Sequence, residues 1–302
     1  LLMSFVFVLI LLERWSRRRA RYHETGARMQ SLPRHRLEGW RRAVGFAVCS
    51  VPLVFGFLLP AGQLLVWVVR TAGRMLDADF LRITGNSLVL AGSAALVTLL
   101  VGLFMAYGKR LHGDRLVRGA VRVAGMGYAI PGTVIAIGVM IPFAWLDNTI
   151  DTWMRARFDF STGLLLSGTL AALLFAYMVR FLAVALQTVE AGLARIRPSM
   201  DEAARALGFG PLDVLKKVHV PMLRGSLITA MLLVFVDVLK ELPATLVLRP
   251  FNFNTLAVRT YELAADERLA DAASASLAIV LAGIIPVILL SQSLSRTRIR
   301  YE

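Results

Sequence analysis

The chain has 302 residues, 57% of them hydrophobic, and a mean hydropathy of +0.65, which excludes an ordinary water-soluble globule. Thirty-four Lys and Arg against 20 Asp and Glu leave a formal charge of +14, and in so apolar a chain membrane topology explains that excess better than nucleic acid does. Cys49 stands alone, which excludes an internal disulfide framework; His23, His35, His112 and His219 are not at metal-ligand spacing, so neither a metal nor a cofactor is expected.

Residues 1–12, LLMSFVFVLILL, are apolar but too short to cross a bilayer. Arginines follow this run rather than precede it, the reverse of a signal peptide, so it reads as the end of a truncated transmembrane helix. Residues 13–42 hold ten arginines and three glutamates and read as a basic linker on the cytoplasmic side. From 43 to 302 the chain reads as an all-α transmembrane domain. Its apolar stretches are long enough to predict six spans at about 43–69, 83–107, 119–146, 162–184, 225–248 and 273–292, with Cys49 inside the first.

Charge bias sets the topology. The segments 13–42, 108–118, 185–224 and 293–302 carry 23 Lys/Arg, whereas 70–82, 147–161 and 249–272 carry 8. The first set therefore faces the cytoplasm. Within the spans, Ala91, Gly92, Ala94 and Ala95, and then Gly125, Gly127, Gly132 and Gly138, mark places of close helix approach. Pro131 disfavours helical geometry at Ile130, which predicts a kink there. Tyr128 and Tyr177 suit either a lined path or burial against a neighbouring helix.

The polar stretch 199–221, set between two apolar runs, predicts a helix, a sharp turn and a second helix. Ser199 is placed as N-cap with Glu202 closing a capping box, and Asp201 and Glu202 favour the positive end of the helix dipole. Ala203 and Ala204 continue the helix, and Gly208 suits the left-handed position after it. Pro211 opens the second helix and Pro221 limits it. Further on, Asp237, Lys240 and Glu241 fall at i, i+3 and i+4 inside an apolar run, on one helical face. Charges at that depth either pair or line a wet cavity, so these residues, with Pro243 as a bend, stand both as a translocation path or gate and as a purely structural pair of Asp237 with Lys240. In 249–272, Leu256, Arg259, Thr260 and Leu263 fit a short helix after Asn252-Phe253-Asn254.

Glu202-Ala203-Ala204, then Gly208, then Val218-His219-Val220-Pro221 resembles the E-A-A-x3-G-x9-I-x-L-P loop of ABC-importer permeases, with Val in place of Ile at 218 and of Leu at 220. The segment Lys240 to Ala272, KELPATLVLRPFNFNTLAVRTYELAADERLADA, resembles the second half of ferric-iron permeases. Permeases for thiamine, 2-aminoethylphosphonate, sulfate and polyamines share parts of it. The basic run Glu13 to Tyr22 is similar to the linker between the two halves of the ferric-iron type.

That resemblance implies a six-helix permease domain in the bacterial inner membrane, the C-terminal half of an importer of ferric iron or another small solute. It implies that Ser199, Glu202, Ala203, Ala204, Gly208 and Pro221 belong to a loop coupled to a cytoplasmic ABC ATPase dimer. It further implies a second permease half, in the same longer chain or another subunit, and a periplasmic solute-binding protein docking on 249–272. Lipid surrounds the whole, and no nucleic acid is expected. Beside it stands a secondary transporter or channel, for which such a loop would have no use. No Walker A is present: Gly102 to Lys109 has five residues between its glycines and Arg110 where Ser or Thr is needed. No H-E-x-x-H or G-x-S-x-G occurs either, so ATP chemistry is expected in a separate chain and the protein is not itself an enzyme.

Overall fold

A computed structural model describes residues 38–299. The truncated helix expected at 1–12 and most of the basic linker lie outside the described residues. The described residues carry ten helices: α1 (Trp40–Met75), α2 (Ala78–Leu111), α3 (Arg115–Ala124), α4 (Gly132–Phe158), α5 (Leu170–Leu193), α6 (Pro198–Ala206), α7 (Pro211–Leu239), α8 (Pro243–Leu248), α9 (Leu256–Ala265) and α10 (Leu269–Ile299). Among them α1, α2, α4, α5, α7 and α10 are long and apolar enough to cross a membrane. By internal contacts the chain divides within α1, after Pro60. In the first unit Pro52 is carried inside the helix and is followed by a π-helical turn, Val54–Leu58.

In the second unit α2, α5 and α7 form the centre. Small residues let their backbones close on one another. Ala91, Ala94 and Ala95 of α2, Ala172, Ala176 and Ala185 of α5 and Ala230 of α7 have no exposed surface, and a Cβ on Gly102 would lie 3.2 Å from that of Ala185. Lys109 near the end of α2 reaches Glu190 near the end of α5 at 2.7 Å, so these two helices run parallel and α7 returns against them. Helix starts are capped in sequence-legible ways: Asp77, Asp114, Thr169 and Thr255 accept from Phe80, Val117, Ala171 and Val258 N–H respectively. The short helix expected after Asn254 is α9.

Three predicted spans differ from the observed helices. The third, 119–146, is divided: α3 ends at Ala124, Gly127–Ala129 forms a 3-10 turn, Ile130 is extended and α4 begins at Gly132. The kink at Ile130-Pro131 is therefore a full break. A Cβ at Gly127 would fall on the Val179 carbonyl of α5, so the turn lies directly on that helix backbone. Gly92 and Gly138 have open space and serve no close approach.

The fourth predicted span, 162–184, starts late, at Leu170, because the residues before it are held out of helix by α4. Asp147, fully enclosed, accepts from the N–H groups of Leu165, Leu166 and Ser167 at 2.7–3.2 Å and from the Ser167 hydroxyl at 2.6 Å. One helical turn on, Asp151 accepts from the Ser161 hydroxyl at 2.7 Å and from the N–H groups of Thr162 and Gly163. Gly163 and Gly168 supply positive φ in this segment. The fifth predicted span, 225–248, ends at Leu239, and the reason lies in the site described next.

Candidate functional site

The stretch 198–221 is built from its turn residues outward. Pro198 opens α6 at its first position, where its missing N–H costs nothing, and Arg197 becomes the N-cap. Ser199 thus sits inside the helix and caps nothing, and the capping box with Glu202 does not form. Proline's fixed φ at 198 sets the helix start two residues earlier than the Ser signal. At the other end Gly208, at φ +82°, donates to Arg205 O at 2.9 Å while Phe209 donates to Ala204 O at 3.1 Å. This is a complete Schellman closure, with glycine in the left-handed position as the sequence requires.

Pro211 opens α7, but Pro221 does not end it. The helix runs on through a π-helical turn, Leu215–His219, in which Val220 N–H bonds Leu215 O. This wider turn takes up the irregularity that a proline one residue later imposes. The second helix of the loop is thus the beginning of the membrane helix itself.

The two alanines of the E-A-A triplet face opposite ways: Ala204 is buried and Ala203 exposed. With Ala203, the residues Ser199, Met200, Glu202, Ala206 and Leu207 form an exposed outer face, Leu207 at 76%. Leu212 and Pro221 are exposed as well.

The inner face is fixed by residues that spacing alone does not connect. Arg110, the last-turn arginine of α2, places Nε 2.8 Å from Asp201 Oδ2 and donates from its other nitrogens to Leu193 O and Ile196 O at 2.6 and 3.0 Å. Asp201 Oδ1 lies 2.8 Å from Nε2 of His219, which has no exposed surface. The Tyr107 hydroxyl donates to Pro211 O at 2.7 Å, and its ring stands 5.3 Å from that of His219. Two cationic residues at the end of α2 and an acid in α6 hint at pairing, but which meets which is a matter of tertiary structure.

The second constellation is the junction of α7 and α8. Asp237, Lys240 and Glu241 do not share one helical face, because α7 stops at Leu239 and Lys240 is its C-cap. Lys240 Nζ pairs with Asp237 at 2.9 Å, as the structural alternative expects. Glu241, 6% exposed, turns instead to Arg180 of α5, with Oε2 3.2 Å from Nε, and its other oxygen accepts from Ala244 N–H at 3.2 Å. Pro243 does not bend α7; it opens the separate helix α8 at N1.

Arg180 also donates to Ile130 O at 3.3 Å, so it ties the break before α4 to the break after α7. Gly132 is where they meet: a Cβ there would be 2.6 Å from both Arg180 Nη1 and Glu241 Oε1. Tyr177 is buried with its hydroxyl 2.5 Å from Thr245 Oγ1, the satisfied-core alternative, whereas Tyr128 is exposed.

Residues 98–301 match the model of the family described as binding-protein-dependent transport system inner membrane component. The Fe(3+)-transport system permease protein of Haemophilus influenzae is 24% identical over 257 residues, 83% of this chain and 47% of that one. A Salmonella typhimurium permease provisionally assigned to 2-aminoethylphosphonate transport is 29% identical over 194 residues, covering 64% of this chain and 67% of the other. The chain thus spans about half the length of the ferric relative it matches. Among solved structures, a chain of the bacterial alginate ABC transporter in complex with a pentasaccharide-bound periplasmic protein superposes with a TM-score of 0.64 at 13% identity, over 85% of this chain and 96% of that one, a likeness of fold.

Proposed function

The chain belongs to the family of binding-protein-dependent transport system inner membrane components, and on that premise we propose that it is the C-terminal half of a ferric-iron permease driven by a separate ABC ATPase. Membership sets aside the secondary-transporter and channel readings. The observation that carries the proposal is the exposed outer face of α6, which hangs between two spans with Ser199, Glu202 and Ala203 turned away from the bundle and Gly208 closing it. A nine-residue helix with Met200 and Leu207 bare to solvent is a docking element for an ATPase dimer.

In this reading ATP-driven closure of the dimer moves α6, and α7 moves with it because the short turn at Gly208 connects the two. Loop 249–255 and α9, on the opposite end, receive the periplasmic binding protein, and a second permease half completes the path. We place the path or its gate at Asp237, Lys240, Glu241 and Pro243. Two helix breaks meet there, and the Lys240 side chain stays 63% exposed. A second reading, import of 2-aminoethylphosphonate, is favoured by the relative of which this chain covers two thirds.

The test is co-purification of the full-length permease with its ATPase, with and without Gly208→Val. Uptake of labelled ferric iron and of 2-aminoethylphosphonate by cells expressing the system then follows. Retention of the ATPase and accumulation of iron alone support the proposal. Absence of any ATPase overturns it, and accumulation of the phosphonate replaces the solute.

A further inference from the structure

We propose that Asp201 is the mechanical linkage of the coupling step, a positioning residue that passes displacement of α6 to α2 through Arg110 and to α7 through His219. The proposal rests on the ATPase-docking reading above. α6 presents its outer face to solvent, and its inner face is held by the packing of Ala204 and by the Asp201 side chain, 14% exposed. One carboxylate oxygen engages Arg110 and the other faces His219, at 2.8 Å each. A single group on the moving helix therefore meets two transmembrane helices.

Both receiving ends are built to respond. Arg110 spends three nitrogens on three acceptors, the Asp201 carboxylate and the carbonyls of Leu193, the last residue of α5, and of Ile196 in the connection to α6. Its planar fork cannot follow Asp201 without releasing those carbonyls, so motion of α6 reaches α2 and the end of α5 together. His219 closes the π-helical turn of α7, the least regular turn of that helix; neither of its ring nitrogens makes an aligned hydrogen bond among the described residues, so it meets Asp201 Oδ1 through the 2.8 Å contact alone. The ring is enclosed, so it can leave Asp201 only by moving the backbone that carries it. Lys109–Glu190, at the same end of the bundle, joins α2 to α5 without touching α6 and supplies the contrast.

The experiment is reconstitution of the complete transporter with its ATPase and binding protein in proteoliposomes. Whichever of ferric iron and 2-aminoethylphosphonate the unaltered transporter accumulates is the probe, and the readout is solute taken up per ATP hydrolysed. Asp201→Ala should lower that ratio about tenfold, in the range of coupling between linked sites. Asp201→Asn should recover most of it, since its oxygen still accepts from Arg110 and its amide can donate to Nε2 of His219. Lys109→Met should leave the ratio alone. A merely structural Asp201 would lower uptake and hydrolysis in proportion, and an unchanged ratio in Asp201→Ala overturns the proposal. If Asp201→Ala does not assemble, Arg110→Lys carries the same test, because an ammonium cannot reach the carboxylate and both carbonyls at once. Unaltered transporter that retains no ATPase overturns this proposal and the docking reading together.

Discussion

Replacing Glu241 by Gln keeps the side chain's shape and removes its charge. At the 3.2 Å separation from Arg180 the gross attraction is about 5 kcal/mol with an effective dielectric of about 20. Desolvation of both groups offsets much of this, and what the variant feels is an arginine left without its counter-charge. Arg180 keeps its bond to Ile130 O and its side chain is 21% exposed, so the cost falls at the low end for a broken buried pair, about 3 kcal/mol. The amide oxygen can still accept from Ala244 N–H. The assay is a double-mutant cycle with Arg180→Met, read by denaturation in mixed detergent micelles and by yield of the complex with its ATPase. The double variant should be less destabilised than the two singles together by about 2 kcal/mol. Lys240→Met should not rescue Glu241→Gln, because Lys240 belongs to Asp237. A coupling energy within about 0.5 kcal/mol of zero, or rescue by Lys240→Met, refutes the pairing.

Gly208→Val places a β-branched residue at φ +82°, so membrane insertion should persist while ATP-driven uptake is lost; full uptake at normal expression would count against the turn's role. Gly127→Ala should abolish recovery of folded protein, since its methyl would meet the Val179 carbonyl, whereas Gly138→Ala, with open space around it, should express normally. After replacement of the exposed Cys49 by Ser, Phe251→Cys should react with an impermeant maleimide in intact spheroplasts and Asp213→Cys only in broken membranes. Phe251 is the better probe of that loop than Asn252, whose φ of +63° would strain a cysteine. The reverse labelling pattern would invert the topology.

What the sequence makes legible here is whatever depends on neighbours in the chain. Apolar length marks the spans, Gly208 and Pro211 mark the turn between α6 and α7, and Asn252-Phe253-Asn254 precedes the start of α9. Helix ends fail where a distant group decides them. Leu164 to Ser167 are apolar enough to extend a span, but a carboxylate from α4 claims the N–H groups of Leu165, Leu166 and Ser167. Ile130 to Gly132 read as a kink, yet close contact with α5 turns the kink into a break. The same limit applies to the site. Glu202, Ala203, Ala204 and Gly208 announce themselves by spacing, whereas Arg110 with Asp201, and Arg180 with Glu241, are pairs joined only by folding. Ser199 misled because two local signals competed, and proline's covalent constraint outweighed a side-chain hydrogen bond.

The segment between α4 and α5 hangs from two acidic side chains spaced one helical turn apart, like a rope over two pegs. Its path is therefore specified by the helix it leaves rather than by its own turn residues. For protein engineering this divides the segment sharply. A tag or fluorophore-bearing peptide inserted between Ser161 and Gly163, or between Leu165 and Ser167, would pull N–H groups off a peg and strand a carboxylate that is enclosed in the case of Asp147. Inserted after Asp159, where α4 has just ended in a left-handed residue and neither peg reaches, the same peptide would loop out and leave both grips in place.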